Sequence, residues 1–156
     1  MKYPLFILAI LLQVGGVGFN LIGLIAHQES IQIVNECNNP MNIIKINVGK
    51  QSFTATLRDN ATANAFKALL PFTASMTELN DNEKYFRLSK NLPTNESNPG
   101  TIGPGDLMLW GSNTVVLFYE TFPTSYRYTM LGKIDNPTVL TSALGTGTVT
   151  VTFEAD

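Results

Sequence analysis

Twenty-three consecutive residues, Pro4 to Ala26, carry no charge, and only Gln13 and Asn20 among them are strongly polar. As a helix rising 1.5 Å per residue, such a run reaches roughly 30 to 35 Å, enough to cross a hydrocarbon core of about 30 Å. Three readings of it are open. An uncleaved signal anchor fits its full length. A cleaved signal peptide fits Lys2 as a basic start, Leu5 to Leu12 as the apolar stretch and Gly16-Val17-Gly18 as a small-x-small site. A buried helix of the folded domain is the third. The run continues past Gly18 to Ala26, longer than a cleaved signal needs, which favours the anchor. Lys2 on one flank and Glu29 on the other orient it with the N-terminus inside and the rest of the chain outside. The expected organisation is a signal anchor or signal peptide over 1–27, a linker over 28–40 and a folded domain over 41–156. The protein is thus expected to be membrane-anchored with its domain outside the cytoplasm, or secreted or periplasmic if the signal is removed.

Charge and residue usage narrow the chemistry. The chain has 156 residues, 10 Lys+Arg against 12 Asp+Glu and no basic block, so the phosphate neutralisation behind nucleic-acid binding has no source. One cysteine, Cys37, and one histidine, His27, exclude an intrachain disulfide, a Cys/His zinc site and any chemistry needing several imidazoles. No metal and no cofactor is expected. Cys37 lies too far from the apolar run for a lipoprotein signal and reads as an inert linker thiol, with pairing between chains as the alternative. Asn60-Ala61-Thr62 and Asn95-Glu96-Ser97 match the glycosylation acceptor pattern, which matters only in a eukaryotic source.

Beyond the linker the pattern is rich in β-strand signals. Asn42–Val48 and Ser52–Arg58 flank Gly49-Lys50, a pair suited to a tight hairpin turn. In the second run Phe53, Ala55 and Leu57 share one face and Ser52, Thr54, Thr56 and Arg58 the other, which is the alternation of a half-buried strand. Asp59 to Thr62 supplies a helix start, with Asp59 as the expected cap, and Ala63, Phe66, Leu69 and Leu70 follow at helical spacing before Pro71. Further strands are predicted over 85–88, 107–110, 114–120, 128–134 and 148–153, with a second short helix over 137–144. Seven strands, two short helices and no βαβ alternation predict a mainly β fold, a closed or nearly closed barrel capped by helices. Phe53, Leu57, Phe66, Leu69, Phe86, Leu88, Leu107, Leu109, Phe118, Leu131 and Phe153 are its expected core. Glu78, Asp81 and Glu83 read as solvated loop residues. Gly103-Pro104-Gly105-Asp106 lacks the Gly-Lys-Ser/Thr of a phosphate loop and reads as a turn held by the Asp106 carboxylate.

The order of these elements and several strings resemble the cyclophilins, and more closely the small bacterial and archaeal cyclophilin-like proteins of unassigned activity. Leu57 to Leu69 is similar to the family's strand, Leu-x-x-Asp turn and first helix, and Lys84 to Leu88 to the strand that carries its catalytic arginine. Gly103 to Leu107, Leu117 to Tyr119 and Tyr128 to Ile134 resemble its Gly-Gly-Asp turn, its Gln-Phe-Phe strand and its His-x-x-Phe-Gly-Lys-Val strand. The resemblance spans about 41–154 and implies a closed cyclophilin-like barrel. It places Arg87 at the arginine position, Tyr128 where the family has a pocket histidine, Leu117 where it has glutamine and Tyr119 where it has a pocket phenylalanine. The Asn/Ala-rich strand and the long loop with a Gly-Ser-Gln turn are absent from the sequence.

Prolyl isomerisation crosses a barrier of roughly 20 kcal/mol, which a catalyst lowers by donating to the imide nitrogen inside an apolar pocket. Strand alternation turns Tyr85 and Arg87 outward and Phe86 and Leu88 inward. Arg87 is therefore the one candidate catalytic residue, against the plainer reading of a solvated arginine. Tyr119, Tyr126 and Tyr128 are candidate ligand-wall residues or simple packing groups, and Trp110 is a ligand platform or a barrel-rim anchor. With the family's histidine and glutamine replaced, the expected function is a membrane-tethered or exported binding domain for a peptide or small ligand, with little or no isomerase activity. The alternative is an extracytoplasmic peptidyl-prolyl cis-trans isomerase.

Overall fold

Gly49, at φ +58°, lets the chain reverse within two residues, so that strand β1 (Ile43–Val48) pairs with β2 (Gln51–Leu57) in the register Val48 to Gln51. The computed structural model describes residues 42–156, and the expectations for Pro4–Ala26, His27, Cys37 and the 28–40 linker lie outside them. Helix α1 (Ala61–Lys67) follows. Its cap is Asn60 and not Asp59: the Asn60 side chain accepts from the Ala63 N–H at 2.8 Å and donates to the Met130 carbonyl at 2.9 Å. Thr62 is buried and donates to the Pro93 carbonyl at 2.8 Å, so both polar residues of that acceptor pattern are committed to the fold.

The remaining strands are β3 (Phe72–Leu79), β4 (Glu83–Arg87), β5 (Thr101–Ile102), β6 (Asp106–Trp110), β7 (Thr114–Phe118), β8 (Phe122–Pro123), β9 (Thr129–Ile134) and β10 (Val149–Ala155). Helix α2 (Leu140–Leu144) precedes β10. Eight strands close an antiparallel barrel in the order β1-β10-β3-β4-β7-β6-β9-β2, and β5 pairs with β8 in a separate two-stranded ladder. The barrel therefore has one strand more than its sequence pattern predicts. The strand missed was β3, although inward Phe72, Ala74 and Met76 alternate there with exposed Thr73, Ser75 and Thr77, the period of a half-buried strand. Its pairing is tertiary, with β10 on one side and β4 on the other.

An eight-stranded barrel has an interior just wide enough to be filled by side chains. Phe66 of α1 enters one end, edge-on to Phe72 and Phe153 at 5.8 and 5.7 Å between centroids. At the other end Lys84, 0% exposed, is held by the carboxylate of Glu78 and by the carbonyls of Gly145 and Gly147 at 2.9 and 2.7 Å. Eight of the eleven expected core residues are buried, and Leu69, Phe86 and Leu88 are half-buried against the same core. Phe118 is buried in a different place. It belongs to a second apolar layer outside the barrel wall, with Ile102, Met108, Val116 and Tyr128, roofed in part by Phe122 of β8.

Two strands meet closely where Gly132 lies. A Cβ there would stand 2.5 Å from the Thr56 carbonyl oxygen and 2.9 Å from Leu57 Cα, so only glycine admits the β2–β9 pairing. The Gly103–Asp106 turn is held as its sequence predicts: Asp106 accepts from the Gly103 N–H at 2.8 Å and from Lys133 Nζ at 2.7 Å. Among the described residues, no helix is long and apolar enough to cross a membrane.

Candidate functional site

Alternation along each strand decides what reaches the outer face of the barrel. On β4, Glu83, Tyr85 and Arg87 point outward while Lys84 and Phe86 point inward. On β7, Thr114 and Val116 point outward, and Trp110 does so at the end of β6. Strand β9 would break this arrangement if it alternated strictly, since Tyr128 lies six residues before the inward Ile134 and would share its direction. A bulge prevents that: Leu107 pairs with Gly132 but Met108 pairs with Met130, so Leu131 is the extra residue. The phase inverts there, Leu131 packs inward, and Met130 and Tyr128 join the outer layer.

These side chains line one cavity of about 360 Å³. Glu83, Tyr85, Arg87 and Val116 form its floor, and Trp110, Phe122, Tyr126 and Tyr128 add aromatic walls. The lip is the β3–β4 turn, where Asn80 and Asp81 hold φ +57° and +55°, a conformation that short polar side chains tolerate best. Arg87, Trp110 and Tyr126 also line an adjoining concavity of about 650 Å³ that runs toward Glu96 and Arg127. Tyr128 is anchored by a reciprocal backbone pair with Ser97 at 2.9 and 3.0 Å, and its ring meets Phe118 edge-on. Trp110 and Tyr126 are 49% and 66% exposed, unusual for large apolar surfaces outside a contact site.

The structure brings together Arg87, Trp110, Tyr126 and Tyr128 and leaves Tyr119 elsewhere. Tyr119, a candidate ligand-wall residue by sequence, instead follows Val115 and Leu117 in alternation and packs with the barrel core. Its hydroxyl donates to Glu78 Oε1 at 2.8 Å, and the Lys84 ammonium lies 5.7 Å from its ring centre. Burial, then the hydrogen bond to Glu78 and the Glu78 charge, push its phenol well above the ordinary range. Tyr119 thus serves the closed end of the barrel. Glu78 is likewise no solvated loop residue: burial raises its pKa, but hydrogen bonds from Lys84 and Tyr119 and the Lys84 charge outweigh this and hold it below the carboxylate norm.

Glu83 is the residue that sequence reasoning set aside. Its polar sequence context reads as a solvated loop, yet Glu83 is 8% exposed and lines the cavity. Burial, with the nearby Glu78 charge second, raises its carboxyl to about 7. Burial, and then the charge of Glu83, likewise raise the Tyr128 phenol. The signal was available in the spacing, since Glu83, Tyr85 and Arg87 fall at i, i+2 and i+4 of one strand.

The raised carboxyl has a consequence for stability. Between the ordinary 4.5 and about 7 the folded chain holds a proton at Glu83 that the unfolded chain releases, so this group's contribution declines as pH rises through that window. Glu83→Gln is expected to leave stability unchanged near pH 4 and to raise it by roughly 1 to 3 kcal/mol at pH 8. Urea unfolding of both proteins at the two pH values checks it.

A closed eight-stranded antiparallel barrel, with a cavity built on its outer face by a strand arginine and late aromatic residues, defines a small cyclophilin-type barrel domain. The chain belongs to the Cyclophilin-like family, whose model matches residues 46–154. Among solved structures it is similar to the solution structure of a hypothetical protein from Archaeoglobus fulgidus, at 19% identity and TM-score 0.51 over 74% of this chain and 96% of that one. That likeness is one of fold. No curated protein matches the sequence.

Proposed function

We propose that this domain is a binding module that takes a peptide or small ligand in the outer-face cavity, with little or no isomerase activity. The uncharged Pro4–Ala26 run tethers it to a membrane, or exports it. The observation that carries the binding reading is the convergence of Arg87, Trp110, Tyr126 and Tyr128 on one apolar-walled cavity that continues into a second concavity, as an extended ligand requires. Arg87 beside aromatic walls is also what favours the alternative, an extracytoplasmic prolyl isomerase. Against it, Arg87 is exposed and has no ion-pair partner among the described residues, so nothing pre-orients the guanidinium for the transition state.

Trp110 is the only tryptophan in the chain, so its fluorescence reports on this cavity. A screen of proline-containing and other short peptides against the full-length protein is expected to yield a ligand that shifts this emission. Arg87→Ala combined with Tyr126→Ala is expected to abolish that binding at nearly unchanged stability, both residues being exposed. Tyr128 is too buried for a neutral truncation. Proline-peptide isomerisation is expected to run far below the rate of a typical cyclophilin; cyclophilin-like rates lost on Arg87→Ala would establish the enzyme instead. Full-length protein is expected to stay with membranes through carbonate extraction, and a soluble mature chain beginning near Phe19 would mean a cleaved signal.

A further inference from the structure

One carboxylate, that of Glu83, lines the cavity beside Asn82. Glu83 makes no hydrogen bond or ion pair among the described residues, and Asn82 Oδ1 is buried with no partner. A buried acceptor lacking a donor is costly, and a buried carboxylate more so, unless something else supplies the donor. Among the described residues no donor is hydrogen-bonded to either. Lys84, next to Glu83, is turned to the other side of the sheet, where Glu78 and two carbonyls take its three hydrogens. Arg87 lies four residues further along β4, roughly 13 Å away at ordinary strand rise and beyond the Debye length of about 8 Å.

Tyr85, Phe122 and Tyr128 line the cavity on the Glu83 side, whereas Trp110, level with Arg87 through their shared neighbour Thr114, and Tyr126 stand toward the Arg87 end. Aromatic faces carry negative potential and attract cations, most strongly where water is excluded. A largely buried acid and several rings at one end of a cavity form a receptor for a positive group carrying N–H donors on an apolar stem. We propose that the Glu83 end of the cavity binds an alkylammonium group, carried by a lysine side chain of an extended peptide or by a free amine. Glu83 accepts from the ammonium, and Tyr85, Phe122 and Tyr128 lie along its methylenes. Arg87, at the far end, is then free to meet a carbonyl or carboxylate of the same ligand. The inference rests on the binding reading above and names the chemistry of its ligand.

The charged or titratable groups that act on Glu83 are Glu78 of β3, through the sheet, and Tyr128 just before β9, with Tyr85 beside it on its own strand and Arg87 at the far end of the cavity. Burial raises the Glu83 carboxyl to about 7, while an alkylamine stays protonated to about pH 10. Ammonium binding therefore strengthens as pH rises through 7 and expels the Glu83 proton.

The test titrates full-length protein with an acetylated, amidated Ala-Ala-Lys-Ala-Ala peptide, its norleucine counterpart and n-butylamine, following Trp110 emission at pH 6 and pH 8. The lysine peptide or butylamine is expected to bind about tenfold more tightly at pH 8, as the ionised fraction of Glu83 rises. Glu83→Gln is expected to remove the pH dependence and bring the lysine peptide down to the norleucine level. Carbon-detected NMR is expected to show the Glu83 carboxyl titrating at lower pH when butylamine is bound. Saturation by the peptide alone assigns a lysine-bearing polypeptide, and saturation by butylamine alone assigns a small amine. Equal, pH-independent binding of the norleucine peptide overturns the ammonium inference and leaves the binding reading standing. Silence from all three ligands overturns it too, and the broader peptide screen then decides the binding reading separately.

Discussion

Replacing Phe66 with alanine is expected to cost about 3 to 5 kcal/mol, read as a lowered urea midpoint with unchanged slope by circular dichroism. Phe66 is fully buried and is the plug by which α1 closes one end of the barrel. It meets Phe72 and Phe153 edge-on, and these two stack on each other at 5.1 Å, so the truncation removes one member of an aromatic cluster spanning helix and sheet. The cavity left behind cannot collapse easily. Its other walls are strands β3 and β10, whose pairing is set by five residue pairs from Val149–Met76 to Phe153–Phe72. A loss below about 1 kcal/mol would mean that α1 is not part of the core.

The opposite end of the barrel is closed by charge, and its disruption is expected to be as costly. Glu78→Leu removes the only carboxylate, among the described residues, paired with a Lys84 ammonium that is 0% exposed, leaving two carbonyls and the Tyr119 ring around it. Removing one member of a buried pair costs about 3 to 5 kcal/mol, because the remaining charge is stranded away from water. The double substitution Glu78→Leu with Lys84→Met is expected to recover part of that loss. It cannot recover all of it, since the Gly145 and Gly147 carbonyls lose their donor. Urea unfolding of the two variants at pH 7 measures both numbers. The pH dependence of this end has a sign opposite to that of Glu83. Glu78 is held below the carboxylate norm, so its contribution is fully present above about 4.5 and is lost as pH falls through its lowered folded value.

The two acids show where strand alternation was informative and where it was not applied far enough. Extending the alternation of β4 back by two residues puts Glu83 beside Tyr85 and Arg87, and applying it to Val115 and Leu117 sends Tyr119 inward. Both were legible in principle. Strand β3 was legible in the same way, since Phe72, Ala74 and Met76 alternate with Thr73, Ser75 and Thr77; what is tertiary is the buried lysine that receives Glu78 at its end. Phe118 has the apolar character of a core residue, and no local signal says that it packs outside the barrel wall, under Phe122.

Local chemistry, then, determined the hairpin at Gly49-Lys50, a helix starting at the Asn60 turn, the Asp106 turn and the outward direction of Arg87, since each depends on the backbone preferences of a few neighbouring residues. Tertiary structure decided what only meets across the chain: closure by β3 and β10, the Lys84 end, and the bulge at Leu131 that turns Tyr128 onto the outer face. The physical reason is the period of two in a β-strand. One extra residue inverts every side chain beyond it, and whether that residue is accommodated depends on the register of the neighbouring strand, which the sequence of β9 alone does not contain.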